Sequence, residues 1–146
     1  MKTFTLIAGL TLVSTLSYAA PPADLPAERD VHAAQCVAAL QVQTEDLAAQ
    51  VKAGREEVRP MLLSRLESGT AFVGDTYLHG ESDESKARAL AKQALEAQKS
   101  LTEAQLRSRQ DACAAEGSRL LADSNALERA VVKRLARKRM DRLLGA

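Results

Sequence analysis

Apolar residues recur at helical spacing along most of the chain. The first such segment runs from Glu28 to Val51 and carries two apolar stripes. One stripe consists of Cys36, Leu40, Leu47 and Val51, and the other consists of Val31, Ala34, Ala38 and Val42. An apolar face this wide predicts a helix that is buried against more than one neighbour, or against one long partner.

The second segment runs from Pro60 to His79 and ends before Gly80, which is its predicted stop. The stretch before it, Lys52 to Arg59, contains Gly54 and is either a loop or a kink, because proline lacks a backbone donor and disfavours helix in the preceding residue. Two residue sets are candidates for the inward side of this helix: Leu62, Leu66 and Val73, or Leu63, Thr70 and Tyr77.

The third segment, from Ser82 to about Leu121, predicts one long helix with Ser82 as its cap and Gly117 as a candidate point of disturbance. Residues at steps of three or four define its solvent side: Lys92, Glu96, Lys99, Glu103, Arg107 and Gln110. A last helix is expected from about Ser124, a good cap residue, to Leu144.

Sustained alternation of apolar and polar residues, the signature of a strand, is missing from the sequence. The expected fold class is therefore all-α, with about three to four helices in a long antiparallel hairpin or a small bundle. We divide the chain into a helical domain over residues 28–123 and a basic C-terminal helix over residues 124–146.

Residues 1–19 have the organisation of a signal peptide. Lys2 is a short positive region, Phe4 to Val13 is apolar, and Ser17 to Ala19 places small residues where a signal peptidase reads. The apolar run is shorter than the roughly 20 residues that a membrane helix needs. We expect cleavage between Ala19 and Ala20, a disordered leader over residues 20–27, and a periplasmic or secreted protein without a transmembrane segment.

The chain has two cysteines, Cys36 and Cys113. In an oxidising compartment they predict one intramolecular disulfide bond, and a reduced, buried pair is the alternative. In three straight helices that run up, down and up, Cys36 lies some 12 Å along its helix and Cys113 some 45 Å along the third. The difference between these two positions along the bundle is far larger than the Cα separation that a disulfide permits.

A long antiparallel hairpin removes this conflict. Residues 28–79 would form one kinked leg and residues 82–121 the other, with the turn near Gly80. A third helix that is broken near Leu101 would instead permit an ordinary bundle.

Basic residues are concentrated at the C-terminal end. From Ala126 onward there are seven basic and two acidic residues, a net charge of +5, and the rest of the mature chain carries −5. Six of these cations are candidate binding residues for a protein partner or an anionic envelope surface: Lys133, Arg134, Arg137, Lys138, Arg139 and Arg142. The alternative is a solvated helix that packs on the acidic remainder. No nucleic-acid partner is expected, and the pattern does not fix the oligomeric state.

Few side chains are suited to catalysis. His32 lies one helical turn before Cys36, a spacing that can hold a metal, but a disulfide-bonded cysteine is not a ligand and the sequence offers no evident third ligand. His79 lies at a helix end, where an imidazole interacts well with the helix dipole. Without a phosphate-binding loop or a nucleophile motif, we expect no enzyme activity, cofactor or metal site.

The string from Leu101 to Gln105, Leu-Thr-Glu-Ala-Gln, resembles the LTxxQ motif of periplasmic helical stress chaperones of the Spy/CpxP type. The resemblance implies a small, exported, hairpin-rich helical protein that cradles partners or unfolded chains. The family pattern has two copies and this chain has one, so the sequence is not assigned to the family. The charge pattern of the third helix runs through the string, whereas the motif is expected near a helix start.

The leading hypothesis from the sequence is a small, exported, non-enzymatic helical protein that binds another protein or the cell envelope. The alternative is a periplasmic stress or chaperone-like protein with a weak client surface. A metal-binding protein is the third class.

Overall fold

The computed structural model describes residues 26–80 and 83–145, which form five α-helices and one 3-10 turn. The helices are α1 Glu28–Lys52, α2 Arg59–His79, α3 Glu84–Gln98, α4 Glu103–Asp123 and α5 Ala126–Leu144, and the turn is Glu56–Val58. The predicted all-α class is confirmed, with more helices than expected. The predicted signal peptide, nearly all of the leader and Ser82 lie outside the described residues. In the described ranges, every helix is too short or too polar to cross a bilayer.

The stretch between α1 and α2 reverses the chain. Gly54 has a φ of +92°, a left-handed conformation that glycine adopts at little cost. After the 3-10 turn, Pro60 occupies the first turn of α2, where its missing N–H is not needed. Arg59 Nε donates to Glu56 Oε2 at 2.6 Å, and this bond holds the pKa of Glu56 below its ordinary value. The prediction of one kinked leg over residues 28–79 is therefore wrong.

The prediction of one long third helix is also wrong, because α3 ends at Gln98 and a separate helix, α4, begins at Glu103. Thr102 is the N-cap of α4, and its Oγ1 accepts from Gln105 N at 3.3 Å. Gln105 Oε1 accepts from Thr102 N at 2.9 Å, which completes a capping box. The break lies next to Leu101, the position at which a broken helix permits a bundle rather than a hairpin.

Two other predicted caps shift by one residue. Asp83 caps α3, where its Oδ1 accepts from the backbone N–H of Ser85 at 2.8 Å. Asn125, and not Ser124, caps α5 in a second capping box with Glu128. In both cases the neighbouring carboxylate or amide is the acceptor that reaches the free N–H groups of the first turn.

The core has two parts along the α1–α2 pair. The first lies near the reversal and contains Leu47, Ala48, Val51, Val58, Leu62, Leu66 and Ala136. The second lies towards the other end and contains Ala33, Cys36, Leu40, Phe72, Cys113 and Ala114. The residues of α1 and α2 appear in opposite order in these clusters, so the two helices are antiparallel. α3 packs on α1, and α4 packs on both α1 and α2.

The predicted core positions are partly correct. The α1 stripe that contains Cys36 and Leu40 is buried, as predicted. In α2, Phe72 is buried whereas Val73 and Tyr77 are exposed, because α4 covers the side of α2 that carries Ser68 and Phe72. In α4, Gln110 was expected to face solvent but is buried. Its Nε2 donates to the carbonyl of Ala39 in α1 at 3.2 Å.

Gly117 lies inside α4 without ending it, at a close contact between α4 and Ser68 of α2. A Cβ atom at this position would lie 2.6 Å from Ser68 O and 2.8 Å from Ser68 Cα. Ser68 Oγ also donates to the carbonyl of Ala114 at 3.1 Å. Glycine at residue 117 therefore sets the spacing of these two helices.

Candidate functional site

The predicted cysteine pair joins α1 to α4 inside the second core cluster. Cys36 Sγ and Cys113 Sγ are 2.04 Å apart, the distance of a disulfide bond, and the two Cα atoms are 5.2 Å apart. The side chains are 1% and 3% exposed, respectively. The structure therefore places both cysteines as the predicted pairing requires.

Two polar side chains lie directly above this bond. His32 is one turn before Cys36 in α1, and Glu116 is three residues after Cys113 in α4. His32 Nε2 is 2.9 Å from Glu116 Oε2 and 3.8 Å from Cys36 Sγ. The ring of Phe72 meets the imidazole edge-on, with ring centroids 6.3 Å apart.

Glu116 is the residue of this cluster that the sequence did not indicate. It is 84 residues away from His32, so no local pattern joins the two. A signal was nevertheless present once the cysteines were paired. Residues at i−4 from Cys36 and at i+3 from Cys113 share the helix faces that the bond brings together, and these residues are His32 and Glu116.

The other predicted site is α5, which packs on α2 and α1 rather than projecting. Ala136 is buried in the first core cluster, and Met140, Leu143 and Leu144 pack against that cluster. The six predicted binding residues all lie on the exposed part of the helix: Lys133, Arg134, Arg137, Lys138, Arg139 and Arg142. Within residues 26–80 and 83–145, none of these six side chains forms an ion pair.

An apolar stripe accompanies these cations. Leu127, Val131 and Leu135 are 75%, 49% and 50% exposed, respectively. Lys138 and Arg142 follow them at steps of three and four, so all five residues lie along one line of the helix surface. This line, which we call the outer side of α5, is thus apolar in its first half and cationic in its second half. The sequence did not resolve this line, because a second set of apolar residues points to the core.

The remaining candidates have ordinary structural surroundings. His79 ends α2, and its Nδ1 lies 3.2 Å from Asp75 Oδ1 one turn earlier. A cavity of about 40 Å³ lies between α1 and α2 and reaches Arg139 of α5. This volume suits one or two water molecules rather than a metabolite.

Comparisons with protein-family models, with curated proteins and with solved structures give no match for this chain.

Proposed function

We propose that this protein is a non-enzymatic envelope protein that binds an anionic phospholipid surface through the outer side of α5. The observation that carries the proposal is the exposed line from Leu127 to Arg142, in which apolar side chains are followed by cations without ion-pair partners in the described part of the chain.

The chemistry of this line suits a lipid headgroup layer. Leu127, Val131 and Leu135 would enter the boundary between headgroups and acyl chains, where apolar side chains leave water. The cations would interact with lipid phosphates, and each Lys or Arg near an anionic surface contributes about 1 kcal/mol. Burial of Val132 and Ala136 against the other helices keeps α5 fixed, so its outer side is presented without a folding step.

Binding of the mature protein to vesicles tests the proposal. We expect co-sedimentation with vesicles that contain phosphatidylglycerol and little binding to pure phosphatidylcholine vesicles. The double variant Lys138→Gln, Arg142→Gln removes both cations of the line and should weaken binding by roughly 30-fold, which corresponds to about 2 kcal/mol for two cations. Added salt should weaken the binding of the unchanged protein, because surface charges are screened.

A matched control removes the same charge elsewhere. Lys86 and Lys92 are exposed residues of α3, so Lys86→Gln with Lys92→Gln changes the net charge equally without altering α5. Binding to anionic vesicles should be nearly unchanged in this control. Equal loss in both double variants would contradict the proposal, because binding would then depend on net charge and not on α5. No binding by the unchanged protein would also contradict it and would favour an acidic protein partner.

The chaperone-like alternative has its own surface at the end of α2. Val73, Tyr77 and Leu78 are all exposed there, and Val73 and Tyr77 are one helical turn apart. This patch is separate from the cationic line in sequence and element. Suppression of client aggregation that survives the Lys138→Gln, Arg142→Gln change would support this alternative.

A further inference from the structure

Four side chains with metal-binding atoms meet at the contact between α1 and α4. His32 and Cys36 are one turn apart on α1, and Cys113 and Glu116 are one turn apart on α4. The donor atoms of His32, Cys36 and Glu116 all lie within 4.8 Å of one another, and Cys113 Sγ is bonded to Cys36 Sγ. The cluster thus holds two sulfurs, one imidazole and one carboxylate.

In the disulfide form, the sulfurs are bonded to each other and are poor ligands. In the dithiol form, the same four residues would supply two thiolates, one imidazole nitrogen and one carboxylate oxygen, which are the ligand types that zinc binds tetrahedrally. We propose that reduction of the Cys36–Cys113 bond converts this cluster into a binding site for Zn²⁺.

The conversion has two balanced steps. A dithiol reductant gives two electrons and two protons to the bond: the bond between Cys36 and Cys113 breaks, each sulfur becomes a thiol, and the reductant becomes a disulfide. Zn²⁺ then binds the two sulfurs and releases two protons to solvent, while neutral His32 and ionised Glu116 complete the ligand set.

The cluster has a solvent-exposed side, formed by His32 and Glu116, and a buried side, formed by the two cysteines. The side chains of His32 and Glu116 are 53% and 39% exposed, respectively, so an ion reaches them from solvent. The cysteines lie beneath them in the apolar cluster, and Phe72 packs against the imidazole. Each ligand pair lies on one helix, and binding of an ion between the pairs requires the two sulfurs to move apart after reduction.

A structural explanation exists for each pair alone. The disulfide joins two helices, and a histidine beside a glutamate is a common surface ion pair that contributes little to stability. Neither explanation requires both pairs to share one location. The second histidine, His79, pairs with Asp75 in the same way but is not near a cysteine, so it provides an internal comparison.

Cobalt titration of the mature protein tests the proposal. The protein is reduced with a phosphine under argon, freed of reductant by gel filtration, and titrated with Co²⁺ and then with Zn²⁺. We expect a thiolate-to-cobalt charge-transfer band that saturates at one ion per chain and is displaced by Zn²⁺. His32→Ala and Glu116→Gln should each weaken Zn²⁺ binding by at least about tenfold.

Matched controls are His79→Ala and Glu96→Gln, which remove the same chemical groups from other exposed sites. Both should bind Zn²⁺ as the unchanged protein does. The proposal is overturned if the oxidised protein binds equally well, if the charge-transfer band is missing, or if His32→Ala and Glu116→Gln have no effect. If reduction lowers helicity, Zn²⁺ should restore it, and failure to restore it would also overturn the proposal.

Discussion

At the scale of single residues, Gly117 determines how closely α4 approaches α2. The Gly117→Ala change places a methyl group within 2.6–2.8 Å of backbone and Cβ atoms of Ser68. Alanine gains up to about 1 kcal/mol in helix propensity over glycine. Overpacking against a backbone that cannot move aside costs about 1–3 kcal/mol. We therefore expect a net loss of stability, measured as a lower urea midpoint at an unchanged m-value.

The matched control is Gly74→Ala in α2. A Cβ atom there meets nothing within 4 Å, so only helix propensity changes. This variant should be more stable than the unchanged protein by about 0.5–1 kcal/mol. Equal effects of the two changes would show that the contact between Gly117 and Ser68 does not set the helix spacing.

Burial could be predicted from the sequence only where apolar residues repeat along one helix face that packs against neighbouring helices. The α1 stripe was recognised because α2, α3 and α4 all pack on α1, and a helix with several neighbours carries a wide apolar face in its sequence. Gln110 was misassigned because its amide has a specific partner, the carbonyl of Ala39, 71 residues away. Glu116 was missed for the same reason. Such pairings depend on the relative rotation of two helices, which a single-helix pattern does not contain.

At the scale of helices, the capping box at Thr102 explains why a new helix, α4, begins at Glu103 and does not continue α3. Thr102→Ala removes the hydroxyl that accepts from Gln105 N, and should lower stability by about 1 kcal/mol. Ser100→Ala is a suitable control, because the Ser100 hydroxyl donates to the Ala97 carbonyl and caps no free N–H group. Urea unfolding of both variants checks the prediction, and equal losses would contradict it.

The capping box also gives a physical meaning to the string from Leu101 to Gln105. Its Thr and Gln are the two reciprocal partners of the box, so the string lies at a helix start and not inside a helix. The charge periodicity across residues 92–110 concealed this boundary, because α3 and α4 each have an exposed charged side. Helix identity was thus predictable from periodicity, whereas the boundary depended on recognising Thr102 and Gln105 as a cap.

At the scale of the molecule, the break at residues 99–102 is what makes a bundle compatible with the cysteine pair. An unbroken third helix would carry Cys113 far from Cys36, as the helix rise requires. With the break, α3 and α4 pack against α1 separately, and α4 brings Cys113 beside Cys36. The two cysteines in the sequence require that Cys113 lie beside Cys36, and this requirement favours a broken third helix. The number of predicted helices does not contain that information.

The disulfide lies in one part of the core and α5 packs on the other, so changes at the disulfide and on the outer side of α5 should have separate effects. Cys36 and Cys113 lie in the second cluster, whereas α5 packs on the first. The bond closes a loop with a sequence separation of 77, which is worth about 4 kcal/mol in the loop-entropy account. Reduction should therefore lower the free energy of unfolding by about that amount, measured by urea unfolding with and without reductant.

Vesicle binding under the same conditions completes this prediction. As long as the reduced protein stays folded, the outer side of α5 is unchanged, and its affinity for anionic vesicles should stay within about twofold of the oxidised value. A variant with both Cys36→Ala and Cys113→Ala should behave like the reduced protein in both measurements. A large loss of vesicle binding in folded, reduced protein would show that the two clusters are coupled, and that α5 depends on the α1–α4 contact for its position.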